Sequence, residues 1–184
     1  MKSHTSTLVA LSILVLSLTA FNSAANENAI SLYAGQEKRQ IKALSAKDVD
    51  DLLNGRGWGF AKAAELNGMP GPAHIIEMAK KIGLNKEQNS AIQVLFKRMK
   101  TKAIALGSQM VKFERELDQM FADKSVTPDS LGNQLARISS IRGKLRQVHL
   151  ETHLQTPSIL TRHQIVTYNK LRGYSKVSGH TGHH

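Results

Sequence analysis

Leu84–Ala122 reads LNKEQNSAIQVLFKRMKTKAIALGSQMVKFERELDQMFA, and the fold turns on it. Asn85 can cap a helix, and Gln88, three residues on, can reach back to the Asn85 N–H, the reciprocal arrangement of a capping box. From Lys86 the apolar residues run Ile92, Phe96, Met99, Ala103, Leu106, Met110, Phe113, Leu117 and Met120. Their gaps alternate four and three, which is the heptad period. A helix from Lys86 to Ala122 would extend about 55 Å at 1.5 Å per residue. A stripe that long and one-sided must be buried against something.

The covering element follows at once. DKSVTPDS is a short connection in which Thr127 caps and Pro128 takes the first helical position. The next helix carries Leu131, Leu135, Ile138, Ile141, Leu145 and Val148. A short turn makes the two antiparallel neighbours. Upstream, SAKDVDDLL opens with a box-like pair, Ser45 and Asp48, and stops at Gly55 and Gly57. WGFAKAAELN ends at Gly68, and PGPAHIIEMAKKIG places Pro72 first and Gly83 just past the end. Downstream, LTRHQ (Leu160–Gln164) offers Thr161 as cap, Gln164 to complete the box and Leu160 to staple onto Ile165; that helix ends at Gly173. Strand signals are nearly absent. The expected fold is all-α, a long antiparallel helical hairpin flanked by shorter helices. Gly107, Gly132 and Gly143 each cost about 1 kcal/mol relative to Ala inside a helix, which close helix approach could offset. A thin hairpin has little core for its surface, so a homodimer is expected to cover the remainder.

Residues 1–25 read as a signal peptide: Lys2, then LVALSILVLSLTAF, then Ser23-Ala24-Ala25 in the small-x-small cleavage pattern, with a mature start near Asn26. Nothing later approaches the roughly 20 apolar residues of a spanning helix. No cysteine is present, which excludes disulfides, thiolate metal sites, cysteine catalysis and a lipid anchor on cysteine. The net charge is +11, and +10 once Lys2 leaves with the signal. For an exported chain such a balance suits acidic client chains, lipid headgroups or other polyanions rather than nucleic acid. The sequence thus divides into a signal peptide (1–25), a segment with short helices (26–71), the hairpin domain (72–173) and a tail (174–184) bearing His180, His183 and His184, expected to be disordered and able to bind metal loosely.

Two Leu-Asn/Thr-x-x-Gln starts bracket the long helices behind a signal peptide, and in this the chain resembles the LTxxQ family of bacterial periplasmic proteins. That family includes the Spy/CpxP-type stress chaperones and heavy-metal sensor and resistance proteins. LTRHQ matches the motif in full and LNKEQ departs from it at Asn85; the resemblance covers roughly residues 72–173. YAGQEKRQIKALS through GWGFAKAAELNGMPGP is similar to a subgroup associated with metal resistance. The resemblance implies a cradle-shaped dimer without catalytic activity. Its members shield unfolding clients, restrain an envelope-stress kinase, or report periplasmic metal to a regulatory partner.

HLETH, His149–His153, places two imidazoles four residues apart on one helix face, where both can reach one ion. Continuing the four-three alternation lands on or beside His149, near the buried seam. The plain alternative is that both rings complement the negative end of the helix dipole. His74 and Met78 have the same spacing before LNKEQ, and an antiparallel pairing brings both sets to the open end of the hairpin. Imidazole suits Zn, Ni, Co and Cu; a thioether shifts the preference toward Cu(I). The resemblance implies the same four positions. His74 and Met78 stand where the family's sensors carry His-x-x-x-His, and His149 and His153 where they carry His-x-x-x-Met. The sensors' carboxylate ligand is replaced by Phe96. HLETH is not a zincin motif, since Leu150 occupies the place of the general-base Glu. Met99, Met110 and Met120 fall on the seam and read as core, Trp58 as an anchor for the early segment, and His163 as exposed.

Two functions remain open at this point. One is a periplasmic metal-responsive protein, not an enzyme, which binds a transition-metal ion through His74, Met78, His149 and His153 and modulates a membrane-bound regulatory partner in envelope stress. The other is an ATP-independent chaperone that binds unfolded clients on an amphipathic, basic cradle.

Overall fold

Four helices start on reciprocal capping boxes. Ser45, Asn85, Thr127 and Thr161 each accept from the backbone N–H three residues on, and Asp48, Gln88, Ser130 and Gln164 each accept from the cap's own N–H. Each box satisfies two donors that a helix N-terminus otherwise leaves open. A computed structural model describes residues 30–174 of the chain. Residues 30–34 belong to one unit, a turn closed by the Ala34 N–H on the Ser31 carbonyl at 2.9 Å; the chain from Gly35 forms the other.

That second unit holds α1 (Ala46–Leu53), α2 (Lys62–Glu65), α3 (Pro72–Glu77), α4 (Ala79–Ile82), α5 (Lys86–Ala122), α6 (Pro128–Gln155) and α7 (Arg162–Leu171), with 3-10 turns at Gln36–Lys38 and Thr156–Ile159. Among the described residues there is no strand, so the fold is all-α. No helix among them is long and apolar enough to cross a membrane. The signal peptide expected over 1–25 and His180, His183 and His184 lie outside the described residues.

α5 and α6 share the largest interface in the fold. Near their connection, Gln134 donates to the Phe113 carbonyl at 2.7 Å, 21 residues back; farther along, Arg98 meets Gln155 at 2.5 Å, 57 residues apart. Between these points lies the main core: Met110 and Val111 of α5, Ile138, Ile141 and Leu145 of α6, and Ile41, Leu44, Leu52 and Phe60 from upstream. Residues on both sides of position 71 therefore share one core, and each such large side chain, fully buried, stabilises by roughly 1.5–3 kcal/mol.

The α5 stripe is buried at Ile92, Met99, Ala103 and Met110 and half-buried at its other members, with Leu95, Gly107 and Val111 buried beside it. The buried face is wider than one seam because α1 and α3 pack on α5 as well as α6. At Gly107 a Cβ would fall 2.0 Å from the Leu52 carbonyl oxygen, so α1 crosses α5 where the side chain is missing. Gly132 and Gly143 have open space around them, so no close approach offsets their helix cost.

On α6 the buried face departs from the expected seam. It runs Gln134, Ile138, Ile141, Leu145, His149, Thr152 and Thr156, with gaps of four, three, four, four, three and four. A straight helix repeats at 3.6 residues and drifts off a strict heptad by about 20° per seven residues. Toward the N-terminus the drift brings Gln134 inward and leaves Leu135 45% exposed.

PGPAHIIEMAKKIG is interrupted at Met78 (φ −103°, ψ 8°), which separates α3 from α4 and drops its side chain against a second apolar cluster of Ile75, Ile82, Ile92, Leu160 and Tyr168. Above that cluster the two motif glutamines clasp. Gln88 Nε2 donates to Gln164 Oε1 and Gln164 Nε2 to Gln88 Oε1, both at 2.9 Å. The same amides donate to the Ile159 and Gly83 carbonyls at 2.9 Å, which ties the start of α5 to the start of α7.

Candidate functional site

The drift of α6 carries His149 onto its buried face, with His153 one turn further on. Opposite stand Glu65 of α2, Gly71, His74 of α3 and, beyond α7, Arg172 and Tyr174. Together they wall a cleft of about 690 Å³ whose apolar lining includes Trp58, Phe96 and Met99. Trp58 is held there by its indole N–H, which donates to Asp48 at 2.7 Å.

His149 is 5% exposed, and its ring stacks on Phe60 with centroids 5.9 Å apart. Burial disfavours the imidazolium and neighbouring His153 adds repulsion, so the pKa falls to about 4. The ring is therefore neutral at neutral pH and cannot complement a helix dipole by charge. Its Nε2 is buried without a hydrogen-bond partner. For a buried nitrogen that is an unusual state, since such atoms are almost always paired.

His153 is also buried, with Nδ1 2.9 Å from the Met69 carbonyl oxygen. A carbonyl only accepts, so Nδ1 carries a proton and donates to it, while the ring's other nitrogen, Nε2, lies toward Gly71. A Cβ there would stand 2.3 Å from Nε2 and 2.5 Å from Cε1, so the His153 ring fills the space that a side chain at 71 would need.

Glu65 is the hub on the opposite wall. Its Oε1 accepts from the Tyr168 hydroxyl and stands 3.4 Å from Arg172 Nε and 3.5 Å from His74 Nδ1. Arg172 Nε is close enough to attract the carboxylate but is not aligned for a hydrogen bond. Oε2 is 3.8 Å from His153 Nδ1 and, like His149 Nε2, is buried and unpartnered. Burial first, and then the Glu65 carboxylate, push the Tyr168 phenol far above its usual pKa, so it stays a donor.

Of the four residues expected to bind metal, His74, His149 and His153 line this cleft, whereas Met78 packs in the second apolar cluster and does not line it. The thioether in the cleft is that of Met99. Phe96 also lines it, and the carboxylate present is Glu65. Imidazole nitrogens and a carboxylate are donor types that suit a borderline divalent ion such as Zn, Co, Ni or Cu. Among the described residues, however, no three His, Asp or Glu side chains stand close enough together to hold an ion between them. Glu65 sits in KAAELNG, where a carboxylate on a short Ala-rich helix reads as solvated; no signal in the sequence marks it. Tyr168 and Arg172 are placed by packing of α7 and are equally unmarked.

Compared with family models, curated proteins and solved structures, the chain matches none.

Proposed function

We propose that this is a periplasmic, metal-responsive protein of the LTxxQ type. It would bind a transition-metal ion at the cleft between α6 and the α2–α3 segment and alter its hold on a regulatory partner. One atom carries the reading: His149 Nε2, buried, neutral and without a partner. Leaving it so costs about 1–3 kcal/mol in a fold that gains nothing structural from it. His149 and His153 would be the ion's ligands on α6, and His153's bond to the Met69 carbonyl is the kind that orients a ligating imidazole. When bound, the ion supplies a cross-link between elements. It can shift the cleft's opening only by its differential affinity for the open and closed arrangements. Sequence separations that widen along α5 and α6 are what an antiparallel hairpin produces, and we take two such hairpins to pair as a cradle-like dimer.

The test is calorimetric titration of the chain from Asn26 with Zn, Ni, Co and Cu, beside His149→Ala/His153→Ala. One ion per chain is expected, with affinity in the double variant reduced at least about 100-fold, since second-shell changes alone cost 10–100-fold. Equal binding by both proteins would sink the reading.

A second function has its own support. Phe121 and Leu135, near the α5–α6 connection, are 55% and 45% exposed, and seven basic residues lie along α5. An unfolded-client chaperone would use such a surface. It would suppress aggregation of an unrelated protein without metal and weaken as salt rises. A chain that needs metal for that effect, or that lacks the effect, is not one.

A further inference from the structure

Four buried side-chain atoms among the described residues have no hydrogen-bond partner: Glu65 Oε2, His149 Nε2, Asn169 Oδ1 and Arg172 Nε. Three of the four belong to residues that line one cleft, the one between α6 and the α2–α3 segment. Glu65 and His149 are only 8% and 5% exposed. Buried polar atoms are nearly always paired, and one left open is costly. Three open atoms at one place mark a surface shaped for a polar group that the chain itself does not supply.

Volume, walls and charge define the molecule that carries that group. At about 690 Å³ the cleft has the size that holds an organic molecule, whereas one ion would leave most of it open. Trp58, Phe96 and Met99 present apolar faces, which suit a flat ring. The Glu65 carboxylate oxygen only accepts, the Arg172 N–H only donates, and the His149 nitrogen does one or the other by tautomer. Arg172 Nε stands 3.4 Å from the carboxylate's other oxygen, so an open donor and an open acceptor lie side by side. Arg56, Lys62, Lys100 and Arg172 line the cleft against Glu65 and Glu77, so a cationic head meets an excess of positive charge. An anionic head would meet the buried Glu65 carboxylate, whose Oε2 needs a donor. The edge of a primary carboxamide, N–H beside C=O, is an uncharged group with the required pattern, and its second N–H is left for His149 Nε2.

We propose that this cleft binds a small neutral molecule, an aromatic ring bearing a primary carboxamide. Its amide N–H groups meet Glu65 Oε2 and His149 Nε2, and its carbonyl meets Arg172 Nε. The ring lies among Trp58, Phe96 and Met99. The inference goes beyond the metal reading, since it needs no ion and employs Glu65 and Arg172, which that reading leaves unused. Both call on His149 Nε2, so an ion and the amide compete for the cleft.

The experiment titrates benzamide, benzoate and benzamidinium into the chain from Asn26 in the presence of EDTA. Binding is followed by calorimetry and by the emission of Trp58, the chain's single tryptophan. The three compounds share a shape and differ in the head: the first donates and accepts, the second only accepts, the third only donates. Benzamide should bind once per chain, and the two charged analogues at least about tenfold more weakly, since each leaves a buried atom open. Glu65→Gln keeps an acceptor for the Tyr168 hydroxyl while removing the carboxylate; His149→Phe keeps a ring packed on Phe60 and removes the nitrogens. Glu65→Gln should weaken benzamide at least about tenfold and His149→Phe about fivefold, with circular dichroism checking that each folds. Equal binding of the three compounds, benzamide binding unchanged by His149→Phe, or no benzamide binding would each overturn the proposal. With EDTA present none of these outcomes bears on the zinc titration, which stands or falls separately.

Discussion

Acid should loosen this fold through His149. In the unfolded chain its imidazole takes up a proton near pH 6.5; in the folded chain burial holds it off until about pH 4. Between those values the unfolded state binds more protons, so stability is fully present above pH 6.5 and is lost as pH falls toward 4. Worked through, the loss from pH 7 to pH 4.5 is about 2–3 kcal/mol from this one ring. The groups facing it are His153 on its own helix and Glu65, His74 and Arg172 across the cleft. Carboxylates elsewhere also titrate in this range, so the quantity to measure is a difference. Urea unfolding of the metal-free protein and of His149→Phe, each at pH 7, 6, 5 and 4.5, isolates it. At pH 7 the variant should be as stable as the unaltered protein or more so, since an unpaired buried nitrogen has been replaced by carbon. By pH 4.5 the variant should lead by a further 2–3 kcal/mol or so. A difference that stays flat across the series would refute the buried, neutral imidazole and with it the main support for the metal site.

Other consequences are as direct. Gly107→Ala, whose Cβ would collide with the Leu52 carbonyl, should cost about 3 kcal/mol and free α1 from α5, read as faster amide exchange over Ala46–Leu53. Gly143→Ala, in open space on α6, should instead add about 1 kcal/mol and raise the melting temperature by roughly 2–4 °C. Gln164→Ala removes four hydrogen bonds in the clasp and should cost about 2–4 kcal/mol, whereas exposed Gln147→Ala should stay within about 0.5 kcal/mol; chemical denaturation separates them. Glu65→Leu strands the buried Tyr168 hydroxyl and should cost about 1–3 kcal/mol, with protection lost first in α7.

The helix starts are legible in the sequence because a capping box is closed by residues three apart, and nothing distant is needed to form it. All four boxes stand where the Ser, Asn and Thr caps imply. The α5 stripe is legible for a similar reason, since periodicity reports which face is covered. Which partner covers it is another matter. The heptad reading of α6 names Leu135 where the straight helix buries Gln134, because a half-residue of drift is invisible in a short apolar pattern. Met78 packs in the second apolar cluster beside a local break at its own backbone, for which the sequence offers no Gly or Pro. Glu65 reaches the histidines only because α2 is carried to α6 by the packing of everything upstream of it. Its contact with Tyr168 spans 103 residues, beyond any local pattern.

The clasp between Gln88 and Gln164 sets an order on folding. A nascent chain that has emerged only as far as α6 has the whole of α5 in hand, yet its first turn still lacks an amide 76 residues away. Any fragment that stops short of Thr161 leaves Gln88 without its Gln164 partner and the Ile75–Ile92 cluster without Tyr168. The protein can therefore begin its longest helix early but can finish it only when nearly all of the chain is present. That dependence makes paired changes at positions 88 and 164 the signature to look for in any relatives.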